Sequence, residues 1–422
     1  MQVLPDHISR NNSSHRAPNN QGHSLIAFVT SSFGFGPVSK AVTIAEEFRK
    51  QMPDLRLDFF GSGIDYDFAC KTECFDEIYQ VNVDDNDSLR RLLPVLTNYQ
   101  AVFSILNLGL LPMWRKEWGK LYFVDSLAWM WRDLPTGVEN VEAYFVQDYL
   151  LQPERAIEWQ KKSPLIVVSP IVNDPNPKGE VEEQNSAERG NLLLVNFSGC
   201  SNPFVGPEVF ENYVLTLSGL IINLAASRFD RVQICCNQTL AELLQSKLGE
   251  RERLQIDHLA PKDFYKLLQN STLLLTAPGI TTTLEAFKTH TPIGFLLPQN
   301  DSQAIISEIY RRQFGEDICM ALSSFGEEFT LAENTVDQNN PAAPAQEVAK
   351  KLEFILTHRQ KQINQKLEVI LSSYLMLQPE NVLQNIRYSW EKTGQEMIVE
   401  HVNSSLFNFP AESWVVCPES KN

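Results

Sequence analysis

Residues 276 to 286 read TAPGITTTLEA and follow the apolar run Leu273, Leu274, Leu275. An apolar strand that leaves through Pro278 and Gly279 and then meets threonines and a glutamate has the residue types of an anion-holding strand-to-helix turn. The first amides of a helix lack partners within it, and the helix dipole places roughly half a positive charge there, so phosphate oxygens can bind without a lysine. The hydroxyls of Thr281 and Thr282 would add donors. A purely structural role fits the same residues, because Thr282 and Glu285 have the S/T-x-x-E spacing of a capping box.

Downstream, THTPIGFLLPQNDSQ gives a second short strand that ends in Gln299, Asn300, Asp301, Ser302 and Gln303. Polar side chains at a neighbouring strand end can reach a sugar whose phosphates are held at the first. The other half of the chain carries TSSFGFGPVSKAVTIAEEF, a strand, a Gly34-Phe35-Gly36 turn and a helix expected to start with Pro37 at its first position. Glycines there let a backbone approach a ligand closely.

These residues need a scaffold of strand ends. From Leu25 onward short β-prone runs alternate with helical patterns: LIAFVT, LRLDFF, FDEIYQV, AVFSIL, KLYFVD, AYFVQ and LIVVS, then LLLVNF, RVQICC, RLQID, STLLLT and PIGFLL. Alternation of this kind predicts an α/β protein of two doubly wound, Rossmann-like domains facing a cleft, with C-terminal helices. The expected division is a disordered leader over 1–23, a first domain over 24–172, a Pro/Gly/charge-rich linker over 173–191 and a second domain over 192–345. Helices packing across the junction are expected over 346–393, and a tail over 394–422. Ligands in open α/β sheets sit outside the carboxyl ends of the strands, so the cleft is where the motifs above would converge.

Composition narrows the partners. A chain of 422 residues with a net charge of -16 lacks the concentrated cations of a nucleic-acid binder and is ill suited to docking on anionic lipid. Its seven cysteines include one close pair, Cys70 and Cys74, and the adjacent Cys235 and Cys236, with no second half to complete a zinc site, so reduced and mostly buried thiols are expected. The polar first two dozen residues lack the apolar core of a signal peptide, and apolar stretches such as Leu220 to Ala226 fall well short of the ~20 residues a bilayer requires. A cytoplasmic protein with no transmembrane segment is the expectation.

The stretch from Leu273 to Gln303 resembles the donor-site signature of GT-B glycosyltransferases, the superfamily of UDP-glycosyltransferases and of the enzyme that forms lipid II. That signature is a strand, a Gly-containing turn, Ser or Thr, Glu-Ala, Pro, and an acidic residue followed by Gln. It is matched by Gly279, Thr282, Glu285, Ala286, Pro292, Pro298, Asp301 and Gln303. The resemblance implies a metal-independent hexosyl transfer with a nucleotide-diphosphate sugar as co-substrate, no separate cofactor, and a small-molecule or lipid acceptor. By the same resemblance Glu285 would bind the ribose, Gly279, Thr281 and Thr282 the diphosphate, and Asp301, Ser302 and Gln303 the sugar. His258 and Leu259 would lie near the base, and Ser198 and Gly199 beside the phosphates, although an ordinary turn explains that pair too. Gly34, Phe35 and Gly36 would form the acceptor-side loop. The chain departs from the family where Ala277 and Pro278 replace a His and a Gly, which leaves uridine as an expectation. It also departs where Pro37 replaces the histidine base.

Transfer to a hydroxyl still needs a proton acceptor. Asp125, at the end of KLYFVD, is the leading candidate, with capping of the next turn beside Ser126 as its alternative role. Asp148 is second, and Lys40 is either phosphate-facing or solvated. Trp129, Trp131 and Tyr144 either shape an apolar acceptor pocket or pack in the core. The acidic stretches Asp65 to Asp67 and Asp84 to Asp87 resemble metal-binding DxD elements of a different glycosyltransferase fold, and no metal is expected. Two other activities share the architecture: a nucleotide-sugar 2-epimerase and a catalytically silent nucleotide-sugar binder.

Overall fold

The computed structural model describes residues 9–10, 25–173, 191–197, 199–331, 342–373 and 392–407. The first sheet has eight strands, β1 (Ser9–Arg10), β2 (Leu25–Thr30), β3 (Arg56–Gly61), β4 (Glu77–Gln80), β5 (Ala101–Ile105), β6 (Lys120–Asp125), β7 (Ala143–Gln147) and β8 (Leu165–Val168). Their order is β1-β4-β3-β2-β5-β6-β7-β8, parallel throughout except where the two-residue β1 runs antiparallel to β4. Helices α1 (Gly36–Gln51), α2 (Gly63–Ala69), α3 (Asn86–Leu96) and α4 (Pro153–Gln160) connect and flank it.

The second sheet has β9 (Leu192–Asn196), β10 (Arg231–Cys235), β11 (Leu254–Asp257), β12 (Leu273–Thr276) and β13 (Ile293–Phe295), all parallel in the order β11-β10-β9-β12-β13. Its helices are α5 (Pro207–Ala225), α6 (Gln238–Leu248), α7 (Pro261–Asn270), α8 (Ile280–Lys288) and α9 (Asp301–Phe314). Each of the twelve strand runs read from the sequence forms a strand.

The strands read as unbroken apolar runs because helices cover both faces of a parallel sheet. Ile26, Ala27, Phe28 and Val29 are all fully buried, and Phe28 lies in register with Phe59 on one side and Phe103 on the other. On α1 the three- and four-residue spacing of Val38, Ala41, Val42, Ala45 and Phe48 puts all five against the sheet. Burial of a side chain the size of Val or Phe contributes about 1.5–3 kcal/mol, which is why this stripe fixes the helix in place.

The strand orders contain two reversals, between β2 and β5 in the first sheet and between β9 and β12 in the second. At such a point two adjacent strands send their helices to opposite faces and leave a crevice. The Gly34–Gly36 turn follows β2, Gly199 follows β9 and Gly279 follows β12, so the glycine turns sit at the reversals.

The last helices depart from expectation. Helices α10 (Ala342–His358) and α11 (Gln360–Ser373) do not cross the junction; Val348, Leu352, Ile355, Ile363, Leu367 and Ile370 join the core of the second sheet. The helix expected from Pro379 to Thr393 falls almost wholly outside the described residues. Crossing is left to α12 (Gly394–Phe407), in the segment expected to be a tail. Its Ile398, Val399 and Val402 are fully buried in the core of the first sheet beside α1. Gln395 Nε2 donates to the Val172 carbonyl at 2.9 Å, and Lys120 Nζ donates to the Ser405 carbonyl at 2.8 Å. Six cysteines lie among the described residues, all free thiols and five of them buried. No described helix is long and apolar enough to cross a membrane.

Candidate functional site

A cavity of about 420 Å³ lies between the two lobes and draws its lining from the strand-end loops of both. The glycine turns touch across it. A Cβ on Gly199 would stand 2.8 Å from Gly34 Cα and 2.7 Å from Ile64 Cδ1, so this approach admits only glycine. Gly34 itself has φ +64, a conformation that side chains resist. Nearby, the rings of Phe33 and Phe204 pack with centroids 5.8 Å apart, and Phe35 stacks on His258 at the same distance with an interplanar angle of 2°.

On the second lobe, α8 begins three residues before the position the capping-box spacing implied. Its N-cap is Gly279, because a tight turn from the Ala277 carbonyl to the Gly279 amide (2.7 Å) already aligns the Gly279 carbonyl to accept from Thr283 N at 3.1 Å. Thr282 and Glu285 therefore lie inside the helix and form no capping box. The helix start carries no side-chain cap and no acidic residue in its first turn, and Gly279, Thr281, Thr282 and Glu285 all line the cavity. Asn196 Nδ2 donates to Thr282 Oγ1 at 3.2 Å, which holds that hydroxyl in place.

Lys40 reaches the same point from α1 of the other lobe. It is 2% exposed rather than solvated, and its Nζ donates to Thr281 Oγ1 at 2.9 Å and to the Gly36 carbonyl at 3.3 Å, both neutral oxygens. Burial pushes its pKa down to about 8, against the pull of Glu285 and Asp125. Burial likewise pushes Glu285 up to about 7, with Lys40 and the Asn173 amide working in the opposite direction. A buried ammonium held against an uncapped helix N-terminus sets positive charge beside positive partial charge. An anion between them would relieve both.

The structure also brings His258, Asp301, Ser302, Gln303 and the Gly34, Phe35 and Gly36 turn to the cavity wall. Lys71 Nζ lies 2.8 Å from His258 Nδ1, and burial followed by that lysine pushes the imidazole down to about 4, so it is neutral at ordinary pH. Gln303 Oε1 is occupied, accepting from the Gln299 amide at 2.9 Å, while Ser302 Oγ donates to Asn300 Oδ1 at 2.9 Å. Burial raises the Asp301 carboxyl. Ser198 lies outside the described residues.

Asp125 is not brought to the cavity. It is fully buried, with Oδ1 accepting from Leu127 N at 2.6 Å and Oδ2 from Trp131 Nε1 at 2.9 Å and Tyr144 OH at 2.7 Å. Those bonds fasten the turn after β6, and burial outweighs them in lifting the carboxyl to about 6. The capping role is the one the geometry fits. Asp148 is exposed and also absent from the cavity wall. Of the three aromatic residues, Trp131 lines the cavity, whereas Tyr144 stacks on Phe123 in the core and Trp129 Nε1 donates to the Ser126 carbonyl.

Sequence reasoning passed over Asn107 and Asn196 and set Asp84 aside as part of a DxD-like acidic stretch, yet all three line the cavity. Each stands at or just beyond the carboxyl end of a strand, β4, β5 and β9 respectively, and that position was the available signal. Two wall residues, Leu106 and Cys200, adopt left-handed backbone angles of φ 55 and φ 42 at such strand ends.

Two doubly wound parallel sheets, joined by connecting chain and a returning helix, close their strand ends on one cavity. The fold is of the GT-B type. No protein-family model and no curated protein matches the sequence. Among solved structures the chain is similar to Phytolacca americana UGT2 complexed with UDP-2-fluoro-glucose and pterostilbene. That likeness has 14% identity, 91% of this chain and 100% of that one covered, and a TM-score of 0.49. It is similar to S. aureus MnaA with UDP at 13% identity, covering 93% of this chain and 100% of that one, TM-score 0.47. A Listeria monocytogenes protein described as a UDP-N-acetylglucosamine 2-epimerase has 11% identity, with 94% of this chain and 100% of that one covered, TM-score 0.46.

Proposed function

We propose that the chain is a glycosyltransferase that moves a sugar from a nucleotide-diphosphate sugar, UDP-linked by the sequence resemblance, to a hydroxyl of a small-molecule or lipid acceptor. The observation that carries this reading is the contact of Lys40 with Thr281 at the uncapped start of α8. An ammonium from one lobe and free amides from the other converge on a point where a diphosphate would satisfy both. There they would stabilise the charge that develops on a departing diphosphate, without a metal ion in the proposal. Residues 192–345 are taken as the donor lobe and 24–172 as the acceptor lobe. Glu285, Gly279 and Thr282 would hold ribose and phosphates, with Ser198 and Gly199 beside them. Asp301, Ser302 and Gln303 would meet the sugar, and His258 the base edge.

A second reading, a nucleotide-sugar binder without turnover, is favoured by Pro37 in the first turn of α1 and by the commitment of Asp125 to three hydrogen bonds. A thermal-shift screen of UDP, ADP and GDP tests the site, because a ligand selective for the native state raises the melting temperature by mass action. UDP should give the largest shift, and Glu285→Ala should abolish it; a shift unchanged in that variant refutes the ribose assignment. Release of nucleotide from a bound sugar donor then separates transferase from silent binder. Epimerised donor recovered without an acceptor would instead identify an epimerase.

A further inference from the structure

We propose that Asp84 is the general base that takes the acceptor's proton. This rests on the transfer reading above. A base must meet the acceptor hydroxyl on the side of the reacting carbon away from the diphosphate, and among the described residues the ionisable side chains that the first lobe contributes to the cavity wall are Lys40 and Asp84. Lys40 is committed to the diphosphate end through Thr281. Asp84 lines the cavity with Ser31, Phe33 and Asn107 on the acceptor side, beyond the end of β4 and two strands across the sheet from the Gly34–Gly36 turn that follows β2.

Its surroundings hold it in position. Ser32 N donates to Asp84 Oδ2 at 3.0 Å. On one flank the Val83 carbonyl accepts from Asn107 Nδ2 at 2.9 Å, and Asn107 Oδ1 in turn accepts from Leu110 N at 3.0 Å. On the other, Asp85 caps α3 by accepting from Ser88 N at 2.7 Å. The side chain keeps its access to water while both neighbours are fastened.

A second acid, on α2, lies close enough to feel its charge. Asp65 is fully buried, accepts from Thr30 Oγ1 at 2.7 Å through Oδ2, and has no partner at Oδ1. Burial raises Asp65 well above the ordinary carboxyl value, and the charge of Asp84 raises it further. The buried member of such a pair keeps the proton and the wetter member ionises. Partial burial raises Asp84 as well, with the Ser32 amide and the Ser31 hydroxyl opposing, which brings its proton affinity nearer that of a working base. In the transfer step the acceptor O–H proton passes to the Asp84 carboxylate as the acceptor oxygen bonds the anomeric carbon. The bond from that carbon to the diphosphate breaks, its electron pair leaves on the diphosphate, and α8 with Lys40 receives the charge.

The test uses the full chain, Asp84→Asn and Asp84→Ala, with the sugar nucleotide that gives the largest thermal shift. Water, which must lose a proton to attack, and azide, which need not, are compared as nucleophiles. Both variants should keep the UDP shift and release nucleotide to water at least about 100-fold more slowly. Azide should restore release in Asp84→Ala and yield the glycosyl azide. The wild-type rate should rise with pH through an apparent value above that of ordinary aspartate, a limb that Asp84→Asn lacks. Wild-type release and pH profile in Asp84→Asn would overturn the proposal, as would failure of azide to restore release in a variant that still binds UDP. A wild type that binds UDP yet releases none refutes the transfer reading itself, and the role for Asp84 falls with it.

Discussion

Replacement of Lys40 by Met should strengthen the ligand-free protein and weaken its grip on UDP. The side chain is 2% exposed and its ammonium meets only neutral oxygens. Depression of its pKa from 10.5 to about 8 corresponds to about 3 kcal/mol against the charged form. Loss of two hydrogen bonds returns about 1 kcal/mol each, so a methionine that fills the same aliphatic path should stabilise the apo protein by about 1 kcal/mol. With a diphosphate bound the sign reverses. A charge-assisted bond from Lys40 to phosphate contributes about 2–3 kcal/mol, so its loss should raise the UDP dissociation constant about 30- to 150-fold. Denaturant melts of the apo variant and calorimetric titration with UDP read the two effects on one pair of proteins. A lysine with a merely structural role would give a less stable apo variant and unaltered UDP affinity, and that result would refute the argument.

Proton linkage gives an independent check. Between about 8 and 10.5 the unfolded chain holds the Lys40 proton and the folded one does not, so stability should rise with pH over that window and Lys40→Met should flatten the slope. Glu285 acts in the other direction: folded near 7 and ordinarily 4.5, it makes stability fall as pH rises through that interval, and Glu285→Gln should remove the fall in pH-dependent melts. Asp125→Ala leaves the Tyr144 hydroxyl, the Trp131 indole N–H and the Leu127 amide without their acceptor, which should cost at least about 3 kcal/mol in a denaturant melt while UDP affinity stays as it was. Gly199→Ala puts a methyl 2.8 Å from Gly34 Cα, so the lobes must part; small-angle scattering should show a larger radius of gyration and titration a weaker UDP complex.

Architecture was legible because parallel strands covered on both faces must be apolar throughout, and runs such as LIAFVT and LLLVN have no other economical use. The glycine turn after β12 was legible for a similar reason, since Gly279 and the following threonines stand at a strand end. The exact start of α8 was not, because the Ala277–Gly279 turn and the capping-box spacing compete for the same residues and only the backbone shows which prevails. Asp125 and Asp84 show the limit most clearly. Both are aspartates at or beyond the ends of first-sheet strands, and what separates them is the company of Tyr144 and Trp131, nineteen and six positions along the chain from Asp125. Lys40 was ambiguous until the second lobe supplied Thr281, 241 residues away.

Helix α12 gives the chain an unusual order of completion. The second lobe is in effect an insertion, because the polypeptide leaves the first lobe after Asn173 and returns to it at Thr393. Until α12 emerges from the ribosome, the groove that takes Ile398, Val399 and Val402 beside α1 stands open to water. The lobe that is synthesised first is thus sealed last, and a nascent chain stalled anywhere in the second lobe would present an unfinished apolar face to chaperones.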